Sequence, residues 1–467
     1  MDAPATADPY LMKGFEPLRV EYDLDDLTVE GGLPAGLSGT YYRIGPSPQF
    51  PPRAPYNPLN GDGMVHAFRL GGGRAAYRNR WVRTRQWTLD HAAGRALFGT
   101  SGLPTDRDES VLGEVTDGVA NTSLAWHAGR LLALEEGHGP IEIDPIDLAT
   151  RGAWSFAGAL PRNMTAHPKR DPITGHLLFF ANFPTGRISR DLGVYVANAD
   201  DALIRCETIQ TPFPALIHDF AVTADFMVFP ACPVTVSVRR AMEGRPMIAW
   251  EPELGTHLGV LPRGGGAGDL RWFAGEPGMA WHVMNAFNEG GRVVIDVCQQ
   301  DEAVFPRADG SPTDPAKSTQ RLIRWTLDWD GAARFDAARL SDVRCEYPRF
   351  DERFTGRPYG VGYLACDGGP GSGDPFHRGL ARFDHASGQM RTWSAGSAMA
   401  VSEPVFVARS ADAPEGAGLV LANVFDETTD ASFLAVFDAE TLEAGPIAKV
   451  HVPHRIPLGF HGQWIGA

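Results

Sequence analysis

Fourteen histidines are spread along the chain, and four share a setting the other ten lack. His167 in MTAHPKRD, His218 in PALIHDFAVT, His282 in AWHVMNAF and His461 in PLGFHGQWIG each follow small or apolar residues at or near the start of a strand-like run. The remaining ten, His66, His91, His127, His138, His176, His257, His377, His385, His451 and His454, stand mostly beside turn residues, where a surface or singly hydrogen-bonded role is the default. Imidazole nitrogens suit divalent iron, zinc, copper or nickel. Four neutral ligands would leave a divalent ion its full charge and, in an octahedral site, two open positions for O2 and an organic substrate. Separations of 51, 64 and 179 residues exclude a zinc finger, whose ligands lie close in sequence. No HxxxH or HExxH spacing is present, and HDF at 218–220 is not the His-x-Asp of the facial-triad oxygenases. On residue types alone, the four are either one ligand set or scattered core and loop histidines.

Three glutamates are candidates for a supporting layer. Glu136 lies in LLALEEGHGP, which reads as an apolar strand; Glu346 precedes Tyr-Pro in CEYPRFDERF; Glu403 stands before a proline and a strand in VSEPVFVARS. A buried carboxylate needs a partner, and the distal N–H of a metal-bound imidazole is a suitable one because the contact fixes the tautomer. The competing role for each is a surface Glu paired with an arginine. Glu135 should point to the opposite face of the strand from Glu136.

The elements that must carry these residues read as strands. GRLLALEEG, GHLLFFANF, DFMVFPACPV, GRVVIDVC, QRLIRWTLDWDG, GLVLANVFDE and SFLAVFDAETL are short apolar or alternating runs closed by Gly, Asp or Asn, and amphipathic helical runs are scarce. Many short strands over 467 residues predict an all-β fold closed on itself, and at this length a β-propeller fits better than a small barrel. LPRGGGAGDLRWF, DGSPTDPAKS and DGGPGSGDPFHRG read as loops inside one domain spanning 1–467.

Hydrophobic residues are 43% and charged residues 21%, an ordinary globular composition. A formal charge of −15 with no basic block speaks against nucleic acid. The five cysteines form no CxxC pair and the first residues lack a signal-peptide pattern, which predicts a cytoplasmic protein. The longest apolar runs are too short to span a bilayer, although a peripheral membrane contact for substrate uptake stays compatible with them.

In order along the chain, LSGTYYRIGPSPQF, NGDGMVHAFRL, GVANTSLAWHAGRLLALEEG, MTAHPKRDPITGHL, IHDFAVT, CEYPRFDERFTGRPY, SEPVFVARS and PLGFHGQW together resemble the carotenoid cleavage oxygenase family, which also includes stilbene-cleaving dioxygenases. The resemblance implies a seven-bladed β-propeller with loops and short helices forming a dome over an Fe(II) held by His167, His218, His282 and His461. It implies that Glu136 orients His218, Glu346 orients His282 and Glu403 orients His461, with no such partner for His167. It further implies an enzyme that uses O2 to split a carbon–carbon double bond of an apolar alkene into two carbonyl products, without an organic cofactor or external reductant.

Within that resemblance, members that act on 4-hydroxyphenyl substrates carry a lysine directly before the first glutamate and a tyrosine in an upstream loop. This chain has Glu135 at the first position and LFGTSGLPTDR, with Thr100 and Ser101, at the second. The expected substrate is therefore an apocarotenoid or carotenoid, and the alternative is a stilbene or phenylpropenoid such as resveratrol or isoeugenol, cleaved to an aromatic aldehyde. The alternative of another class is a non-enzymatic propeller that binds a partner. A hydrolase is disfavoured by the lack of a GxSxG elbow. GGPGSGDP lacks the GK[ST] ending of a phosphate loop.

Overall fold

The structure, a computed structural model, describes residues 8–53, 56–99, 106–367 and 376–467. The loops around Thr100 and Ser101 and the GGPGSGDP run lie outside these. The chain packs as two compact units, one formed by Met1–Ser155, Ala395–Ala413 and Ala417–Ala467, the other by Phe156–Ser394 and Pro414–Gly416. Every strand expected from the quoted runs is present, among them Arg130–Leu134, Leu177–Asn182, Phe226–Ala231, Arg292–Gln300, Arg321–Asp328, Gly418–Asp426 and Ala431–Asp438.

In the first unit, both chain ends are woven into the same sheets. Gly39–Pro46 pairs on one side with Gly63–Gly71 and on the other with the last strand, Gly462–Gly466, while Val29–Gly31 pairs with Ala448–Val452. A third sheet is the meander Ser123–His127, Arg130–Leu134, Ile141–Ile143 and Thr150–Ala153. The helix Arg85–Ala93 starts where the Thr84 hydroxyl accepts the Trp87 N–H, and it stops at Gly94, whose φ of 67° costs no Cβ clash.

The second unit repeats one pattern in consecutive sheets. The first runs from Lys169–Arg170 to Leu203–Gln210, and the second from Ala221–Val222 through Phe226–Ala231 and Thr256–Pro262 to Arg271–Gly275. The third opens with Met279–Glu289, which turns back into Arg292–Gln300 through Gly290 and Gly291 at φ 57° and 85°; both central residues are left-handed, as a tight two-residue hairpin requires. The long strand Phe335–Phe350 pairs with Arg321–Asp328 up to Arg344 and with Val361–Cys366 from Cys345 onward, so it leaves the third sheet to open a fourth. His167 and His218 therefore stand just before the opening strands of two sheets, His282 lies within the opening strand of the third, and Glu346 within that of the fourth.

Aromatic packing fixes these sheets on one another. Phe220, fully buried two residues after His218, stacks on Phe229 at 5.7 Å and meets the Phe180 edge at 5.4 Å. We expect Phe220→Ala to cost about 3–5 kcal/mol of unfolding free energy, the range for a large-to-small core change. Denaturant unfolding checks this, and a cost below about 1 kcal/mol would mean the cluster does not anchor that sheet.

Candidate metal centre

Three of the four singled-out histidines converge in the second unit. The Nε2 atoms of His167 and His218 are 3.0 Å apart, those of His218 and His282 are 3.3 Å apart, and one ligand nitrogen from each lies within 4.8 Å of the others. The three rings are inclined to one another by 62°, 69° and 71°, so their nitrogens meet at a point while the ring faces stay apart. Trp281 closes against the His218 ring edge-on at 4.9 Å.

The donor set fits a divalent ion. Imidazole nitrogens about 2.1 Å from one ion, at angles between 90° and tetrahedral, lie about 3.0–3.4 Å apart, and the two observed separations fall in that interval. The tautomer agrees. His282 Nδ1 lies 2.6 Å from the Glu346 carboxylate, so its ring proton is donated there and Nε2 presents a bare lone pair to the cluster. Were all three Nε2 atoms bare in this way, they would repel one another unless a cation lay between them. Cys298 lies in register opposite His282 and is buried; burial first, and then its neighbour Cys345, push its thiol pKa up.

Backbone irregularities aim these side chains. The strand carrying His282 shifts register between Ala280 and His282 and again between Val283 and Asn285, and such bulges turn a side chain out of its regular direction. Another shift follows Glu346, where Tyr347 adopts φ 53°. In that left-handed conformation the Tyr347 N–H donates to the Glu346 carboxylate while its ring stacks on His282 at 5.4 Å. Tyr347 escaped the sequence reading, because nothing in Glu-Tyr-Pro beyond the proline's local restriction signals a left-handed residue.

The other predicted residues belong to the first unit. His461 Nδ1 donates to Glu403 at 2.9 Å, the Gly462 N–H donates to the second carboxylate oxygen at 2.7 Å, and both side chains are buried. The strand expected to contain Glu136 ends earlier, at Leu134, because the following GHGP supplies turn residues and Glu136 sits in the bend. Glu135 is buried and Glu136 less so. The Glu135 carboxylate accepts the Val119 N–H at 3.2 Å and pairs with His138 Nδ1.

Residues 15–466 match the family described as retinal pigment epithelial membrane protein. An isoeugenol monooxygenase of Pseudomonas nitroreducens is 35% identical, with 98% of each chain covered. The chain belongs to the carotenoid cleavage oxygenase superfamily. Among solved structures, the lignostilbene dioxygenase of Pseudomonas brassicacearum superposes with a TM-score of 0.94 at 35% identity over 100% of both chains. The apocarotenoid oxygenase of Synechocystis does so at 0.86 and 27%, covering 97% of this chain and 98% of its own. These matches establish the β-propeller class for the sheets described above. With the three-histidine cluster they make this oxygenase an iron-dependent enzyme of oxidative alkene cleavage. No helix among the described residues is long and apolar enough to cross a membrane.

Proposed function

We propose that the enzyme cleaves the side-chain double bond of a stilbene or phenylpropenoid, giving an aromatic aldehyde and a second carbonyl product. The observation carrying this reading is the 35% identity, over nearly the whole chain, to proteins named for isoeugenol and lignostilbene, against 31% and 32% to two named as carotenoid cleavage oxygenases and 27% to one named for apocarotenoids. The carotenoid expectation keeps one specific support, the acidic Glu135 where a phenolate-binding lysine would stand, and an apocarotenoid is therefore the second reading.

His167, His218 and His282 hold the iron, and on the family pattern His461 completes the set. The likeness of the two imidazole–carboxylate pairs supports this: in each, Nδ1 donates to a buried carboxylate that also takes the N–H of an adjacent residue, Tyr347 beside Glu346 and Gly462 beside His461. Glu136 is assigned to His218 on the same pattern. Bound iron supplies a spin-allowed route for triplet O2 to react with a closed-shell alkene. The chain's own residues fix the tautomers of His282 and His461 through Glu346 and Glu403 and wall the centre with Trp281 and Tyr347. Alkene plus O2 balances to two carbonyls without a reductant, so no glutamate is required as acid or base.

The span of the family match supports residues 1–467 as one catalytic domain, and the five free thiols, four of them buried, support the cytoplasmic placement. The test is a mass-spectrometric product scan of Fe(II)-loaded enzyme under air with isoeugenol, resveratrol, a long apocarotenal and a carotenoid, iron-free protein serving as control. Iron-dependent aromatic aldehydes are expected. Polyene fragments alone would establish the second reading.

Glu135 adds a prediction about selectivity. Its carboxylate is occupied by His138 and the Val119 N–H, so a 4-hydroxyl group gains no cation at that position. The parent enzyme should turn over 4-hydroxystilbene and 4-methoxystilbene at rates within about threefold. Glu135→Lys should raise that ratio about tenfold, equivalent to about 1.4 kcal/mol and within the range for one hydrogen bond to a charged group. An unchanged ratio places position 135 away from the ring.

A further inference from the structure

HDF at 218–220 is not a facial triad, yet its aspartate occupies a singular place. Asp219 is buried, 4% exposed, directly after His218. One carboxylate oxygen accepts the Phe220 N–H at 2.7 Å and lies 2.7 Å from Lys169 Nζ; the other accepts the Val283 N–H at 2.8 Å. Lys169 is two residues beyond His167, Phe220 is two beyond His218, and Val283 directly follows His282. One carboxylate thus ties together the segments that bear all three converging imidazoles. Val283 lies between the two register shifts of its strand.

We infer that Asp219 is a positioning residue for the iron centre, setting the distances between His167, His218 and His282 without touching the metal. The inference rests on those imidazoles holding iron. Charge balance suits the role: Lys169 neutralises the carboxylate, so the tie adds no net charge beside the cation. A second contact works in the same direction, since the Thr165 hydroxyl accepts the His167 N–H at 3.0 Å and reaches the His218 carbonyl at 3.4 Å. That link spans only two of the segments. The Asp219 carboxylate spans three.

The test is Asp219→Asn. The amide keeps the shape but has one acceptor oxygen, so its NH2 must face either the Lys169 ammonium or the Val283 N–H, and one tie is lost. Iron affinity should fall about 10- to 100-fold, the usual effect of disturbing a group behind a metal ligand. In Co(II)-substituted protein the visible absorption bands should shift, a change that a loss of stability alone would not cause. Lys169→Met, which frees only the His167 segment, should shift the same bands and lower iron affinity by a smaller factor. A folded Asp219→Asn protein with parental iron affinity and Co(II) spectrum would overturn the inference. Should that variant fail to fold, Lys169→Met decides, and iron affinity within about twofold of the parent with an unmoved spectrum overturns it. A parent protein that binds no iron would sink the metal reading itself, and the inference with it.

Discussion

His282→Ala should purify as a folded β protein that holds less than about a tenth of the parental iron and cleaves no alkene. Two contacts of the side chain bear directly on the metal: its Nε2 is 3.3 Å from that of His218, and its Nδ1 donates to Glu346 at 2.6 Å. Removing it takes away one donor and strands a buried carboxylate, which costs about 1–3 kcal/mol and leaves an anion facing a vacated ligand position. The fold should survive, because the sheets on either side are held by apolar clusters such as Val283, Ile295 and Trp325, and Met284, Leu322 and Leu364. Metal analysis, circular dichroism and product detection on the same preparation check all three parts. Normal iron content with full turnover would remove His282 from the centre.

Glu346→Gln is the second large effect. The amide oxygen that replaces the carboxylate can still accept from His282 Nδ1, but the negative charge that makes the imidazole a stronger donor is gone, and the Tyr347 N–H competes for the same oxygen. Turnover at saturating iron should fall about 10- to 100-fold while most of the metal is retained. The separation of activity from metal content is the diagnostic. An equal loss of both would make Glu346 a group needed for loading, and no loss of either would reduce it to a satisfied core carboxylate.

Much of this was legible in the residues, for reasons that differ from part to part. Strands such as Leu177–Asn182 and Gly418–Asp426 announce themselves because their apolar runs are bounded by glycines and polar turn residues. The convergence of His167 with His218 and His282 was not legible from spacing, since residues 51 and 64 positions apart become neighbours only through the repetition of the sheet pattern; the order of motifs along the chain supplied the set. The Glu346 contact followed from residue type and that order. Tyr347 and Asp219 were missed because their roles depend on bulges, a left-handed φ and backbone N–H groups, which the sequence does not display. The substrate expectation leaned on Glu135 standing where a lysine would be, and the structure shows its carboxylate engaged by His138 and Val119.

We propose that three imidazoles of the second unit hold the iron that cleaves the alkene. An anomalous difference map at the iron edge, from crystals of Fe(II)-loaded enzyme, tests it most directly. One strong peak is expected about 2.1 Å from the Nε2 atoms of His167, His218 and His282. An active enzyme whose iron peak lies elsewhere would contradict it.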